Sequence, residues 1–349
     1  MKTLIKKNRI PVKQMLLIGF LPSFLKILYY KSKGYKFGEN VSIGLGTVIV
    51  GKNVEIQSNT SIGMMTVVRA KSIKIDRFVK IGHFVFIDTE QVEIGEDTRI
   101  NEQVVIAGIK NPDSIIKIGK RVIVMEYSYL NPTKPLTIGD DTGIGGHCLL
   151  FTHGSWLSQI DGFPVTFAPI TLGNKVWLPW RVFIMPGVTV GDNVVIGANS
   201  LVSKNLPANS LAAGSPAKVL VENYPPQLTE EKRTEILKNI FTDFINFISY
   251  NGFSVSGFDE SMNKFVMDLK NNETNSSMVY VPDKNYYSDT IAADNVLLMD
   301  SLDADTKSAA GKFKMVINLR TKERIGTSAI GEEITMFLSR YGIRCNRLD

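Results

Sequence analysis

The chain has 349 residues, 44% apolar and 21% charged, with two Cys and a formal net charge of +6. That balance excludes a disordered chain and a disulfide scaffold, leaves room for two folded domains, and fits a reducing compartment. Residues 1–36 hold nine Lys or Arg and no acid, so the remainder is net −3 and the chain as a whole has no nucleic-acid-binding balance.

The basic segment also contains the most apolar run, residues 15–30 (MLLIGFLPSFLKILYY). This run is shorter than the ~20 residues needed to span a bilayer, and Pro22 and Lys26 interrupt it. No clear small-x-small cleavage site follows. Two readings stand: a helix that plugs the open end of the next domain, and a basic amphipathic surface resting on anionic lipid.

From about Phe37 to Pro207 a six-residue beat dominates. Residues 172–207 show it most cleanly: LGNKVW, LPWRVF, IMPGVT, VGDNVV, IGANSL, VSKNLP. Earlier turns include IGLGTV at 43, IGMMTV at 62, IGHFVF at 81, IGEDTR at 94 and IGGHCL at 144. So short a period with one aliphatic anchor fits neither an amphipathic helix nor a β-meander. It predicts a β-helix in which three hexapeptides make one coil of about 18 residues, the coils stacking roughly 4.8 Å apart. The fifth slot (Thr47, Thr60, Thr98, Val122, Cys148, Val176, Ser200) is small because it packs at a corner. Gly or Asn at the corners suits left-handed backbone.

The beat breaks around 107–117 and over 152–170 (THGSWLSQIDGFPVTFAPI). So long an irregular loop in a regular solenoid is usually functional. Trp156, Phe163 and Phe167 suit a pocket wall or a subunit contact. Beyond 207 an exit coil and linker lead to a helix over 228–250, strand-like runs and a second helix near 330–341, which together predict a small α+β domain. The expected division is therefore a helical segment 1–36, a β-helix 37–221 and a C-terminal domain 222–349 of unassigned role.

Residues 138–220 resemble the hexapeptide-repeat acyltransferases. The shared string is Thr152-His153 at the loop mouth, then FAPITLGNKVW, RVFIMPGVTVGDNVVIGANSLVSKNLP and AGSPAKV. The resemblance implies a mainly β, left-handed parallel β-helix, acetyl-CoA as acyl donor, and a homotrimer with active sites between subunits. The basic apolar leader and the lack of a nucleotide-binding domain point further, to O-acetyltransferases of bacterial surface polysaccharides. That implies a glycan or sugar acceptor, no nucleic-acid partner, and a cytoplasmic protein whose leader touches the inner face of the membrane.

Acyl transfer from a thioester to an alcohol needs a base, a held carbonyl and donors for the oxyanion. An imidazole suits the first task. His153 matches the family's catalytic His; it takes the acceptor's proton and returns it to the leaving thiolate, with no acyl-enzyme. Asn131 matches a polar residue that steadies the acceptor or oxyanion, and Asp161 is placed to orient His153, as carboxylates do for catalytic imidazoles. His147 and His83 read as surface residues. Cys148 occupies the inward fifth slot and reads as a core filler rather than a nucleophile. For the cofactor, Ala198 matches the small groove residue, Ser203 and Lys204 the T/S-K pair, and Lys218 the closing P-A-K. Leu178-Pro179-Trp180 replaces the family's small I-G-x, so Trp180 narrows the groove or stacks on the ligand.

Three rivals remain open. N-acetylation of an amino sugar would use the same His. A carbonic anhydrase-like metal site needs three convergent imidazoles, and His83 lies too far along the stack for that, so no metal is expected. A non-catalytic scaffold for the C-terminal domain would leave the acetyl-CoA half without purpose.

Overall fold

The structure, a computed structural model, describes residues 10–271, 275–282, 296–302, 306–309 and 313–349. Residues 1–9 of the basic leader lie outside these. The chain forms two compact units, Met1–Pro226 and Gln227–Asp349. The boundary falls beyond the expected 221/222, because the strand Ala217–Glu222 still pairs with Ser210–Gly214 of the first unit.

The first unit is a parallel β-helix. Each coil contributes one short strand to each of three parallel sheets, here faces one, two and three. The first coil, for example, runs through Lys36–Phe37, Ser42–Ile43 and Val48–Val50. Eight coils stack in this way, and the eighth ends with Leu201–Val202. The aliphatic anchors point inward and are almost fully buried, from Ile43, Ile62 and Ile81 on face two up to Leu178 and Ile196. A strand buried on one side reads as apolar once per turn, which is the physical origin of the beat.

The small fifth-slot residues are buried as expected, and they also bond. Thr98 Oγ1 donates to the Gly119 carbonyl at 2.8 Å and accepts Val122 N–H at 3.1 Å from the coil above. Thr142 makes the equivalent pair with Gly173 and Val176. Threonine therefore recurs here because its hydroxyl satisfies buried backbone groups where the chain turns a corner. The corners also depart from the Gly/Asn expectation. Phe78, Phe84, Tyr127, His147 and Arg181 all have φ between 57° and 61°. This left-handed backbone costs a residue with a Cβ about 1 kcal/mol or more. Inter-coil bonds such as Phe84 N–H to Met64 O and His147 N–H to Glu126 O hold it in place.

The N-terminal segment plugs the first coil. Its helices are Val12–Gln14, continued by a π-turn over Met15–Gly19, and Ser23–Ser32. An open β-helix end presents unpaired strand N–H groups, which must be covered. Here Ser23 Oγ accepts Ile43 N–H, Tyr30 Oη accepts Ile49 N–H, and Tyr35 Oη accepts Gly51 N–H, all at 2.9–3.0 Å. Tyr30 stacks on Tyr35 with ring centroids 5.3 Å apart. Lys26 is buried and donates its Nζ to the Gly44 carbonyl; burial lowers its pKa to about 8.

Among the described residues the C-terminal unit contains a seven-stranded mixed sheet whose spatial order follows the chain from Ser254–Ser256 to Asn346–Arg347. Helices Glu230–Tyr250 and Ala329–Ser339 bury Phe241, Phe244, Ile248, Phe337 and Leu338 in its core.

Candidate active site

The sixth coil ends on face three with Leu149–Phe151, and the extruded loop begins there. Thr152 fixes its mouth. This buried side chain donates to the Asn131 carbonyl at 2.7 Å and accepts Lys134 N–H at 2.8 Å. His153–Gly154 then pairs antiparallel with Thr166–Phe167, placing His153 opposite Phe167. The tip between them is exposed: Trp156 and Ile160 are 95% and 96% accessible.

His153 lies one coil above Thr133. Asn131 pairs in register with Phe151, so Thr133, two residues on, faces His153, two residues past Phe151. Thr133 Oγ1 and His153 Nδ1 are 3.2 Å apart. The surrounding bonds decide which atom donates. Asn131 Oδ1 accepts Thr133 N–H at 3.2 Å, so this atom is the amide oxygen. It must then accept the Thr133 hydroxyl proton across 2.7 Å. Ile109 N–H donates to the same hydroxyl oxygen at 2.9 Å. With its only proton committed, Thr133 Oγ1 can only accept from the imidazole. The network therefore assigns the proton to Nδ1 and leaves the Nε2 lone pair free.

The ring lies between two aromatic neighbours, with centroids 5.7 Å from Phe167 and 6.3 Å from Phe151. Burial holds its pKa below the usual histidine value. The group is thus a neutral base near pH 7. Gly108 keeps the network compact, because a Cβ there would come 2.4 Å from Asn131 Oδ1 and 2.6 Å from Thr133 Oγ1.

Among the residues expected from sequence, the structure brings Asn131 and His153 together through Thr133. Asn131 is buried, and its Nδ2 has no hydrogen-bond partner among the described residues. Asp161 is not the orienting group. It sits exposed in the short turn Gln159–Asp161 with no bond to His153, whose Nδ1 is already taken by Thr133. Ser203 and Lys204 follow Leu201–Val202 on the same corner, two coils above Phe151, or roughly 10 Å up the stack. Lys218 lies on the closing hairpin, opposite Ala213. Lys204 and Lys218 are exposed and unpaired with any carboxylate among the described residues. Ala198 is exposed at the other edge of face three, on the corner above Trp180. The Trp180 ring sits on Gly146, where a Cβ would come within 2.7 Å, and 5.6 Å from the His147 ring. The indole therefore packs toward the coil below, away from the Ala198 step.

The other candidate groups are excluded by their surroundings. Cys148 is buried, its thiol donates to the Pro179 carbonyl, and burial pushes its pKa up to about 11. His147 is exposed and stacks on Tyr127. His83 belongs to the third coil. Among the described residues no three His, Cys, Asp or Glu side chains converge on a metal-sized site.

No protein-family model matches the chain. Over 125 residues it is 37% identical to a colanic acid biosynthesis acetyltransferase of Escherichia coli K12, covering 30% of this chain and 69% of that one. The chain belongs to the hexapeptide-repeat acetyltransferases. Its β-helix is left-handed. The galactoside O-acetyltransferase of Escherichia coli K12 is 44% identical over 90 residues, 25% of this chain and 44% of that one. This second match therefore spans less than half of the relative. A crystal structure of the polySia specific acetyltransferase NeuO is 22% identical with a TM-score of 0.41, covering 56% of this chain and 79% of that one.

Thr133, Phe151, Phe167 and Gly108 complete the site. Phe167 was visible in the sequence as a wall residue. Thr133 was legible only through the coil length of 20 residues that separates it from His153.

Proposed function

We propose that this protein transfers an acetyl group from acetyl-CoA to a sugar hydroxyl of a bacterial surface glycan or its precursor, with His153 Nε2 as general base. The Nδ1-protonated, desolvated imidazole carries this reading, because it leaves one basic nitrogen free at a loop mouth. The acceptor oxygen attacks the acetyl carbon as its proton passes to Nε2. The carbonyl π electrons move to oxygen, and Nδ2 of Asn131, unbonded among the described residues, is the donor assigned to receive them. Collapse of the tetrahedral species breaks the C–S bond, and the imidazolium returns its proton to the thiolate. Lys204 and Lys218, at the two edges of face three on the top coils, supply cations for the phosphates, and Ser203 and Ala198 leave room for the pantetheine arm. The names of the relatives favour oxygen over nitrogen acceptors.

Incubation with acetyl-CoA and candidate glycans, read by mass spectrometry, should show gain of one acetyl group. Acetylation of amino sugars alone would replace the O-transfer reading with N-transfer.

The projecting loop supports a homotrimer with sites between subunits, since Trp156 and Ile160 find no cover among the described residues of the first unit. A light-scattering mass equal to one chain would remove that element.

The leader supports membrane contact. One side of its two helices closes the first coil, while Val12, Leu16, Leu17, Phe20, Phe24 and Leu28 are 56–73% exposed beside Lys13 and Lys31. No single helix among the described residues is long and apolar enough to cross a bilayer, and the two helices meet at 120°. Apolar side chains flanked by cations suit an anionic interface. Full-length protein should float with phosphatidylglycerol vesicles, and Leu17→Glu/Phe24→Glu should reduce flotation at least tenfold. Equal flotation of this variant would remove the membrane contact.

A further inference from the structure

The outward positions of the lower coils carry two different charge patterns. On face one, register stacks Lys36, Glu55, Lys74, Glu93 and Lys117, so every rung meets an opposite charge. On face two the matching column is Ser42, Ser61, Lys80, Arg99 and Ile123. Lys80 and Arg99 are direct neighbours of like sign, an arrangement that opposes sheet pairing. Both are exposed, and neither bonds a carboxylate among the described residues.

A trough of about 480 Å³ runs over these rungs, lined by Ser42, Ser61, Lys80, His83, Arg99 and Asn101. Glu102 is the one carboxylate along it. The hydroxyls of Ser42 and Ser61 make no bond among the described residues. His83 Nδ1 accepts Met64 N–H at 2.8 Å, so the neutral ring keeps its proton on Nε2 as a donor. The wall thus offers two cations, two hydroxyls and an imidazole N–H along about three coil steps, roughly 14 Å. That is longer than a lone phosphate, and its polar groups are set among apolar edges such as Ile62 and Met64.

We propose that this trough binds an acidic saccharide, its carboxylate or phosphate seated between Lys80 and Arg99 and its hydroxyls at Ser42, Ser61 and His83. The choice of a saccharide rests on the glycan reading above; the anion rests on the unpaired cations alone. The trough belongs to coils one to four, whereas His153 leaves coil six by a different corner. It would hold part of the glycan chain away from the acetylated sugar.

Isothermal titration of the full-length protein tests this with hexagalacturonate, maltohexaose and inorganic phosphate as probes. Hexagalacturonate should bind, more weakly as NaCl rises. Lys80→Gln/Arg99→Gln should weaken it at least tenfold, and Ser61→Trp, which fills the trough without removing charge, should do the same. Maltohexaose should bind at least tenfold more weakly. No binding of hexagalacturonate, equal binding of maltohexaose, or wild-type affinity in both variants overturns the proposal. Phosphate binding as tightly as hexagalacturonate overturns the saccharide and leaves a free-anion site. Acetyl-CoA titrated into the same protein reads the transferase site independently, so failure there counts against the acetyltransferase reading and not against the trough.

Discussion

His153→Ala should lower kcat for acetyl transfer by about 10²–10⁴-fold, the span that removal of a positioned general base produces. The KM for acetyl-CoA should stay near its wild-type value. The imidazole is assigned to the proton of the acceptor, and the cofactor's binding groups stand higher on the stack, at Ser203, Lys204 and Lys218. The pH dependence gives a second, independent reading. Burial disfavours the imidazolium and holds the pKa below the ordinary histidine value. The base is the neutral form, so kcat/KM should rise as pH increases through that pKa and level off before neutrality. A working acid limb centred above the ordinary histidine range would mean that another group is the base or that the ring is stabilised as a cation. A loss smaller than tenfold in His153→Ala would sink the base assignment outright.

Much of this architecture could be read from the residues, for a specific reason. An inward position recurring every six residues must be aliphatic on every coil, so the core writes itself into the sequence as a period. The loop was legible as the place where the period stops. Backbone satisfaction left no comparable mark. Nothing in a string of Thr residues distinguishes a small filler from the paired bonds that Thr98 makes to Gly119 and Val122. The bulky left-handed corners were hidden likewise, since Phe84 and Tyr127 are held there by bonds between coils rather than by their own preferences. The orienting partner of His153 was missed because a carboxylate nearby in sequence was the natural candidate. On a β-helix the near neighbour in space is one coil away, and this coil takes 20 residues rather than the regular repeat of about 18. Asp161 is eight residues from His153 along the chain and does not bond it; Thr133 is twenty away and does.

Thr133→Val should cost about 10²-fold in kcat while leaving KM for acetyl-CoA little changed, a loss in the range that orienting partners of functional imidazoles produce. Valine keeps the volume and removes the oxygen that accepts Nδ1–H. A histidine ring without that acceptor favours the Nε2-protonated form in water, and in that form the nitrogen meant to take the acceptor's proton already carries one. The variant also leaves Ile109 N–H without its partner and Asn131 Oδ1 with one donor fewer, so some stability is lost, about 1–3 kcal/mol. A purely structural role would be satisfied by any fold-restoring change, so the decisive comparison is chemical. Thr133→Ser restores an oxygen at the same place and should recover most of the activity. Ring ¹⁵N shifts should show Nδ1 protonated in the wild type and in Thr133→Ser, and Nε2 protonated in Thr133→Val. If Thr133→Val retains both the tautomer and kcat, the hydroxyl does not set the base. If it loses kcat with the tautomer unchanged, the relay is structural, and the orientation of His153 must come from the aromatic walls formed by Phe151 and Phe167.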